Sequence, residues 1–414
     1  VQLSQIQIKR LSFLALFVAA FVTPFLLLAY SNLFPQVLPL NDVLLYGYWL
    51  QQMQFGEPIF GIAQDFVYPY PSLLPMWIAK LLGGSAGIIV GWTSMVALLN
   101  SIAIGFLTSW GRGGKRAMFA GVFWVGYLLL LGPAGIGRID AIAAAIAVFG
   151  LVAFSKDRIA LAVSLFTFGA WIKIWPFALA LSSFIADAKK RAMTIAALSV
   201  VGAFGIFAIA AGGNASVFSF VSKQGNRGIQ VESPIAMIWI WAAKLGTPNT
   251  GIYYDKEIIT NQVYGQFVQE ISNLMTPVMF LAIGITVWLS VRASRAGASR
   301  NHVFAISALT AVLDLIVFNK VGSPQFMSWL AVPMIALILF GIERLWIPTA
   351  GVLLIAATTN LVYPVAYMDL MGLGSFSVSL LTIRNALLIF MLVYANLRLG
   401  DLAKTKLARN LAKP

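Results

Sequence analysis

The sequence has no cysteine and a single histidine, His302, and only 10% of its 414 residues are charged. Without cysteine there is no disulfide framework, no thiolate zinc site and no cysteine nucleophile. One imidazole excludes multi-histidine metal sites and relays built from several histidines. The shortage of charge excludes an ordinary soluble enzyme, because soluble domains carry about 25% charged residues to keep their surfaces solvated. Acidic residues are scarcest, with 14 Asp and Glu against 28 Lys and Arg, giving a net charge of +14.

What fills the sequence is apolar. Hydrophobic residues make up 60% of it and the mean hydropathy is +0.87. A bilayer core about 30 Å thick takes about 20 apolar residues as helix. Runs approaching that length lie near residues 11–30, 86–109, 117–133, 140–155, 158–172, 174–187, 192–212, 271–291, 303–318, 326–342, 345–366 and 377–397. The sequence therefore predicts an all-α integral membrane protein of about twelve transmembrane helices, forming one domain over residues 1–414. The apolar stretch from Pro71 to Leu82 is too short to span and is placed at the interface. The first run is longer than a signal peptide's apolar region and is read as a retained anchor.

Threading the runs alternately puts Lys9, Arg10, Arg112, Lys115, Arg116, Lys156, Arg158, Lys189, Lys190, Arg191, Arg292, Arg295, Arg300, Arg344 and the basic C-terminal tail on one side, 19 of the 28 Lys and Arg. Cytoplasmic loops carry this excess, so both termini are expected inside. The basic surplus is thus a topology signal and no nucleic-acid partner is expected.

The outer side receives two long connections, residues 31–85 and 213–270, and the turns between later runs. The unusual polar residues fall there: Asp42, Tyr46, Asp65 and Tyr68 in the first connection, Arg138 and Asp140 in the next turn, then Lys173, Arg227 and Glu232, and finally Lys320, Gln325 and Trp329. Ionisable groups near membrane depth cost a few kcal/mol each and are functional candidates by default. Each also has a structural reading. Arg138 and Asp140 would neutralise each other at a helix end, Lys173 would be an anchor between Trp171 and Trp175, Tyr68 would belong to an aromatic belt, and Glu232 would pair with Arg227. Asp42 is either the N-cap of an amphipathic interfacial helix or a catalytic base facing the cations of the other turns. His302, beside basic residues on the inner side, is a solvated loop residue.

Five motifs in order carry a resemblance. They are Asp42 with Tyr46 and Phe66-Val67-Tyr68-Pro69; Gly137-Arg138-Ile139-Asp140-Ala141; Trp171-Ile172-Lys173-Ile174-Trp175-Pro176; Arg227-Gly228-Ile229-Gln230-Val231-Glu232-Ser233; and Phe318-Asn319-Lys320-Val321-Gly322-Ser323-Pro324-Gln325-Phe326 followed by Trp329. Together they resemble the polyprenyl-phosphate-sugar-dependent membrane glycosyltransferases of the GT-C class. The closest likeness is to the polyprenyl-phosphate-mannose-dependent mannosyltransferases of actinobacterial phosphatidylinositol mannosides and lipomannan, in glycosyltransferase family 87. Some relatives carry two first-loop carboxylates where this chain has Asn41-Asp42, and some use a late histidine, a role His302 does not fit from the inner side.

The resemblance implies an inverting mannosyl transfer to a lipid-linked glycan acceptor on the extracytoplasmic face of the plasma membrane. Asp42 would be the general base, and Arg138, Lys173, Arg227 and Lys320 would bind the donor phosphate. Tyr46, Asp65, Tyr68, Asp140, Glu232, Gln325 and Trp329 would line the sugar, acceptor or lipid groove. No metal and no cofactor beyond the lipid-linked donor is expected. The competing expectation from the span count is a secondary transporter or lipid flippase, which would place its charges near the midplane.

Overall fold

The computed structural model describes residues 5–225 and 227–411; residues 1–4, 226 and 412–414, with Lys413 of the basic tail, lie outside the described residues. The chain is helical almost throughout. In order it forms α1 (Gln5–Ser31), α2 (Asn41–Gln54), α3 (Leu73–Gly83), α4 (Ile88–Leu107), α5 (Lys115–Leu131), α6 (Ile139–Ser155), α7 (Ile159–Ile172), α8 (Phe177–Ala186) and α9 (Lys190–Ala210). After these come α10 (Ser219–Gly225), α11 (Met237–Lys244), α12 (Val268–Arg295), α13 (Arg300–Val317), α14 (Ala331–Phe340), α15 (Trp346–Asn360), α16 (Tyr367–Met371) and α17 (Ser375–Leu411).

Among the described residues eight helical segments are long and apolar enough to cross a membrane: α1, α4, α5, α9, α12, α13, α15 with its continuation to Val365, and α17. Each lies on an expected span. The other four expected spans form α6, α7, α8 and the Pro324–Phe340 segment that ends in α14, which fall below that length. Their shortness has local causes. The α6 helix stops where Asp157 takes a left-handed conformation (φ 59°) in the basic Lys156-Asp157-Arg158 turn. The α7 helix stops because Pro176 disfavours helical backbone at Trp175, and Lys173 is extended (φ −152°, ψ 130°).

The short helices nevertheless run from one end of the bundle to the other. At one end Asp157, after α6, accepts from Lys189, before α9 (2.5 Å), and from Arg300, the first residue of α13 (2.9 Å), while Arg300 also meets Asp187, after α8 (2.6 Å). At the other end the turns that follow α1, α5, α7, α9, α13 and α15 converge. At 1.5 Å per residue α8 is about 15 Å long and α13 about 27 Å. Both start or finish at the Arg300 cluster, so the turn that leads into α8 is recessed relative to the far end of α13. The α6, α13 and α14 helices are nearly fully buried, whereas α9 and α12 turn most of their surface outward.

The first connection supplies two helices, α2 and α3, as expected for it. The second adds to the all-α architecture one small antiparallel hairpin, β1 (Gly251–Asp255) and β2 (Thr260–Tyr264). The run Thr-Asn-Gln-Val-Tyr favours extended backbone, and Asp255 organises the turn by accepting from the N–H groups of Glu257 (3.0 Å) and Ile258 (3.3 Å) and from Gln262 (2.9 Å). Residues 229–231 lie antiparallel to β2 through a single bridge at Gln230 and Gln262, with Val263 N–H donating to Ile229 O (3.0 Å) and Val231 N–H to Asn261 O (3.1 Å).

Candidate functional site

The convergent end gathers its side chains by turns that break helices. After α5 the chain turns through Gly132-Pro133, and Trp92 fixes the turn by donating to Ile136 O (2.8 Å). Gly137 follows with the Leu40 side chain so close that a β-carbon would overlap it. That approach brings Arg138, extended at the start of α6, against the first connection. The Arg138 guanidinium is satisfied on three sides: Nε pairs with Asp42 (2.5 Å), Nη1 donates to Pro39 O (2.7 Å) and Gly137 O (3.1 Å), and Nη2 reaches the Tyr363 hydroxyl (3.4 Å).

Asp42 is the second residue of α2 and makes no capping hydrogen bond; Leu40 occupies the cap position. Its side chain is 34% exposed, the most open acid of the cluster. Tyr46, one turn further along α2, is fully buried, and its hydroxyl accepts from Ile139 N–H (3.1 Å) while bonding to Tyr68. The α2 helix is thereby locked to the start of α6. Tyr68 belongs to an aromatic cluster with Tyr46, Trp49 and Phe66, so the belt reading gives way to a packed wall.

Asp140 does not pair with Arg138. Its carboxylate is buried; one oxygen accepts from Trp329 Nε1 (2.7 Å) and the other faces Lys173 Nζ at 3.9 Å. Lys173 sits 4.7 Å from the Tyr68 ring centroid and 5.8 Å from that of Phe326. Its ammonium therefore meets ring faces and one distant carboxylate rather than a close acceptor. Burial holds its pKa below the ordinary lysine value, with Asp140 opposing. Trp329 stacks on Phe326 (4.1 Å) and on Trp175 (5.9 Å), which packs the 324–330 turn over Lys173. Gln325 is buried in that turn, its carbonyl accepting from Ser328 (2.7 Å).

The 227–233 segment closes the cluster. Arg227 Nε is buried without a hydrogen-bond partner, and its charge is felt at Lys173, Tyr68 and Asp42. Burial lowers its pKa as it does that of Lys320. Gln230 stitches the segment to the Lys320 loop: its N–H donates to Lys320 O (2.9 Å), and its side-chain oxygen accepts from Gly322 N–H (3.1 Å) and Ser323 (3.0 Å). Gly322 is required there, since a β-carbon would overlap the Ser233 backbone.

Two expectations are corrected. Glu232 does not pair with Arg227; it is buried within the fields of Arg384 and Arg138. Asp65 is not in the cluster. It lies at the surface, paired with Lys223 (3.2 Å) and Ser216 (3.0 Å), which lower its pKa.

Three residues at this end were not singled out from sequence. Tyr363 reaches Arg138 because Pro364 breaks the helix after α15 and turns Tyr363 out of helical conformation (φ −132°, ψ 113°). Arg384, 1% exposed in α17, donates to the Glu232 carbonyl, and its neighbour Asn385 donates to Ser233 O (3.5 Å). An arginine inside an apolar run was a usable signal for Arg384; nothing local marks Tyr363.

Burial raises the Glu232 carboxyl from an ordinary 4.5 to about 7, with Arg384 and Arg138 pulling the other way. Below about pH 4.5 folded and unfolded chains both keep the proton. Between 4.5 and 7 only the unfolded chain loses it, so folding stability falls as pH rises and levels off above 7, by about 3 kcal/mol in all. Glu232→Gln should remove this slope. Melts in detergent from pH 4.5 to 8 should show the variant gaining on the wild type as pH rises; parallel curves would mean that Glu232 does not titrate in this way.

A comparison with curated proteins finds no match. The family model of glycosyltransferase family 87 matches residues 66–317. That stretch contains Tyr68, Arg138, Asp140, Lys173, Arg227 and Glu232, and it covers more than half of the 414 residues. On this match, carried by a helical bundle whose charged turns meet at one end, the chain belongs to glycosyltransferase family 87, a family of glycosyltransferases.

Proposed function

We propose that the chain transfers a mannosyl residue from polyprenyl-phosphate-mannose to a lipid-linked glycan acceptor of the phosphatidylinositol mannoside or lipoglycan kind, with inversion, at the extracytoplasmic face of the plasma membrane. The observation that carries this reading is the meeting of one partly open carboxylate, Asp42, with Arg138, Lys173 and Arg227 at the end where the Lys173 turn is recessed. A polyprenyl monophosphate, anchored by its chain in the bilayer, presents its charge at about that depth.

In this reading the acceptor hydroxyl attacks C1 of the sugar, its proton passes to Asp42, and the bond from C1 to the phosphate oxygen breaks. The departing polyprenyl phosphate takes the electron pair and gains a negative charge. Lys173 and Arg227 hold donors unspent on close protein acceptors and supply the cationic half of the site, with Lys320 nearby on the stitched loop. Each is worth about 2–4 kcal/mol in the transition state by analogy with an oxyanion donor. Trp329 holds Asp140, which faces Lys173, and Tyr46 and Tyr68 pack behind the cluster. The phosphate leaves as a stabilised anion, so no second carboxyl is needed as an acid, and no metal or further cofactor enters the proposal.

The topology follows the same reading. Successive site turns are separated by two helices each, α6 with α7, α8 with α9, α12 with α13 and α14 with α15. Counting the four short helices as crossings gives twelve spans, and the Lys- and Arg-rich end is then cytoplasmic together with both termini.

The test is transfer of radiolabel by purified protein from polyprenyl-phosphate-mannose, and separately from the arabinose and glucose donors, into an envelope lipid extract. Labelled lipid from the mannose donor is expected. Label from another donor alone would replace the sugar, and inert protein with every donor would overturn the reading.

A further inference from the structure

Arg384 is the least explained charge in the molecule. It lies nine residues into α17, about 14 Å along the helix from Ser375, in the middle of an apolar run. The energetic cost of a guanidinium there is large unless its donors are used. One is used on the Glu232 carbonyl, and Nε has no hydrogen-bond partner. Asn385 adds a bond to Ser233 O, so two consecutive side chains of α17 grip two consecutive carbonyls of the 227–233 segment. The segment's other edge is held by β2 and by Gln230 on the Lys320 loop.

We propose that Arg384 is a positioning residue: without touching substrate, it holds the 227–233 segment against the last long helix so that Arg227 faces Lys173 and the donor phosphate. The Glu232 carboxyl on the same segment lies within the fields of Arg384 and Arg138. The grip is backbone-directed. Together with Ser272 of α12, which donates to Arg227 O (3.2 Å), it therefore sets where Arg227 projects from, rather than supplying charge to the phosphate itself. The kinetic consequence rests on the transfer reading above; the structural consequence does not.

The absence of native cysteine makes the structural part directly readable. Ser233 is fully buried, so the thiol introduced by Ser233→Cys should react slowly with a maleimide in the intact protein. Adding Arg384→Gln should speed labelling at least tenfold, and adding Arg384→Lys instead, which keeps one donor for the carbonyl, should restore most of the protection. As a control, the Ser307→Cys thiol, buried in α13 away from this segment, should stay unlabelled with arginine, glutamine or lysine at position 384. Labelling of the Ser233→Cys protein unchanged by Arg384→Gln, or labelling that rises equally in the Ser307→Cys protein, would overturn the proposal. In the transfer assay, Arg384→Gln should raise the donor KM about tenfold with a smaller change in kcat, and it should have little further effect in an Arg227→Gln background. Equal losses in both backgrounds would also overturn it. Labelling that responds as expected in a protein inert with every donor would leave the positioning role standing and remove the transfer reading alone.

Discussion

Asp42→Asn should lower sugar transfer by about 10²–10⁴-fold, the contribution typical of a positioned general base, while the protein remains folded. Asparagine keeps the shape of the side chain and one acceptor for Arg138 Nε, and Arg138 retains Pro39 O, Gly137 O and Tyr363. What it cannot do is take the acceptor proton. The loss should therefore fall on kcat, with the donor KM little changed, because the substitution leaves in place Lys173 and Arg227, the cations proposed to hold the donor phosphate. The measurement is radiolabel transfer by wild type and variant, with size exclusion and a thermal melt to establish folding. Transfer within threefold of wild type would remove Asp42 as base. Asp140, another acid at this end of the bundle, is buried and engaged by Trp329, and would be the next residue to test.

Much of this site was legible in the sequence because it rests on a simple constraint. Charges do not remain near membrane depth without a reason, so Arg138, Asp140, Lys173 and Arg227 declare themselves as exceptions in an apolar text. Positive-inside counting then assigns them all to one end, and the structure brings that end together. Pairing was less legible. Sequence proximity suggested Arg138 with Asp140 and Arg227 with Glu232, yet the chain puts Arg138 on Asp42, almost a hundred residues away, because Gly137 allows the turn to press on Leu40. Asp65 looked like a member because it precedes the Phe66-Val67-Tyr68-Pro69 motif, but alternate side chains of an extended segment diverge, and Asp65 turns to Lys223 while Tyr68 turns inward.

Helix length was legible where a basic turn or a proline interrupts the apolar text. The runs at 140–155, 158–172 and 174–187, the last two short and divided at Trp171–Pro176, became α6, α7 and α8 within three residues at each end. The shortness of α8 is what recesses Lys173. The hairpin was missed because five-residue strands in a long loop carry little periodic signal beside helical runs of about twenty residues. Arg384 is masked in the sequence because a run as apolar as that of α17 absorbs one guanidinium and still reads as a span.

Arg138→Gln should damage both activity and stability. Arg138 is 8% exposed and bonds to residues from the first connection, its own turn and the turn after α15, so its loss unties three elements and leaves Asp42 without its cation. Because the Asp42 side chain is a third open to solvent, part of the stranded charge is rehydrated, and the cost should be about 2–4 kcal/mol, near the lower end of what a broken buried pair costs. Transfer should fall by about 10²–10³-fold at least, the scale of losing one preorganised donor to a developing anion. The double variant Asp42→Asn with Arg138→Gln separates the two effects. An asparagine facing a glutamine leaves no lone charge, so the double variant should melt above the sum of the single losses, with a coupling of about 1–3 kcal/mol. Its transfer should stay as low as that of either single variant, since neither base nor cation is restored. Additive melting losses would mean that the 2.5 Å pair contributes nothing to folding. Recovered transfer in the double variant would show that the pair is scaffolding and that the chemistry is done by the Lys173 side of the site.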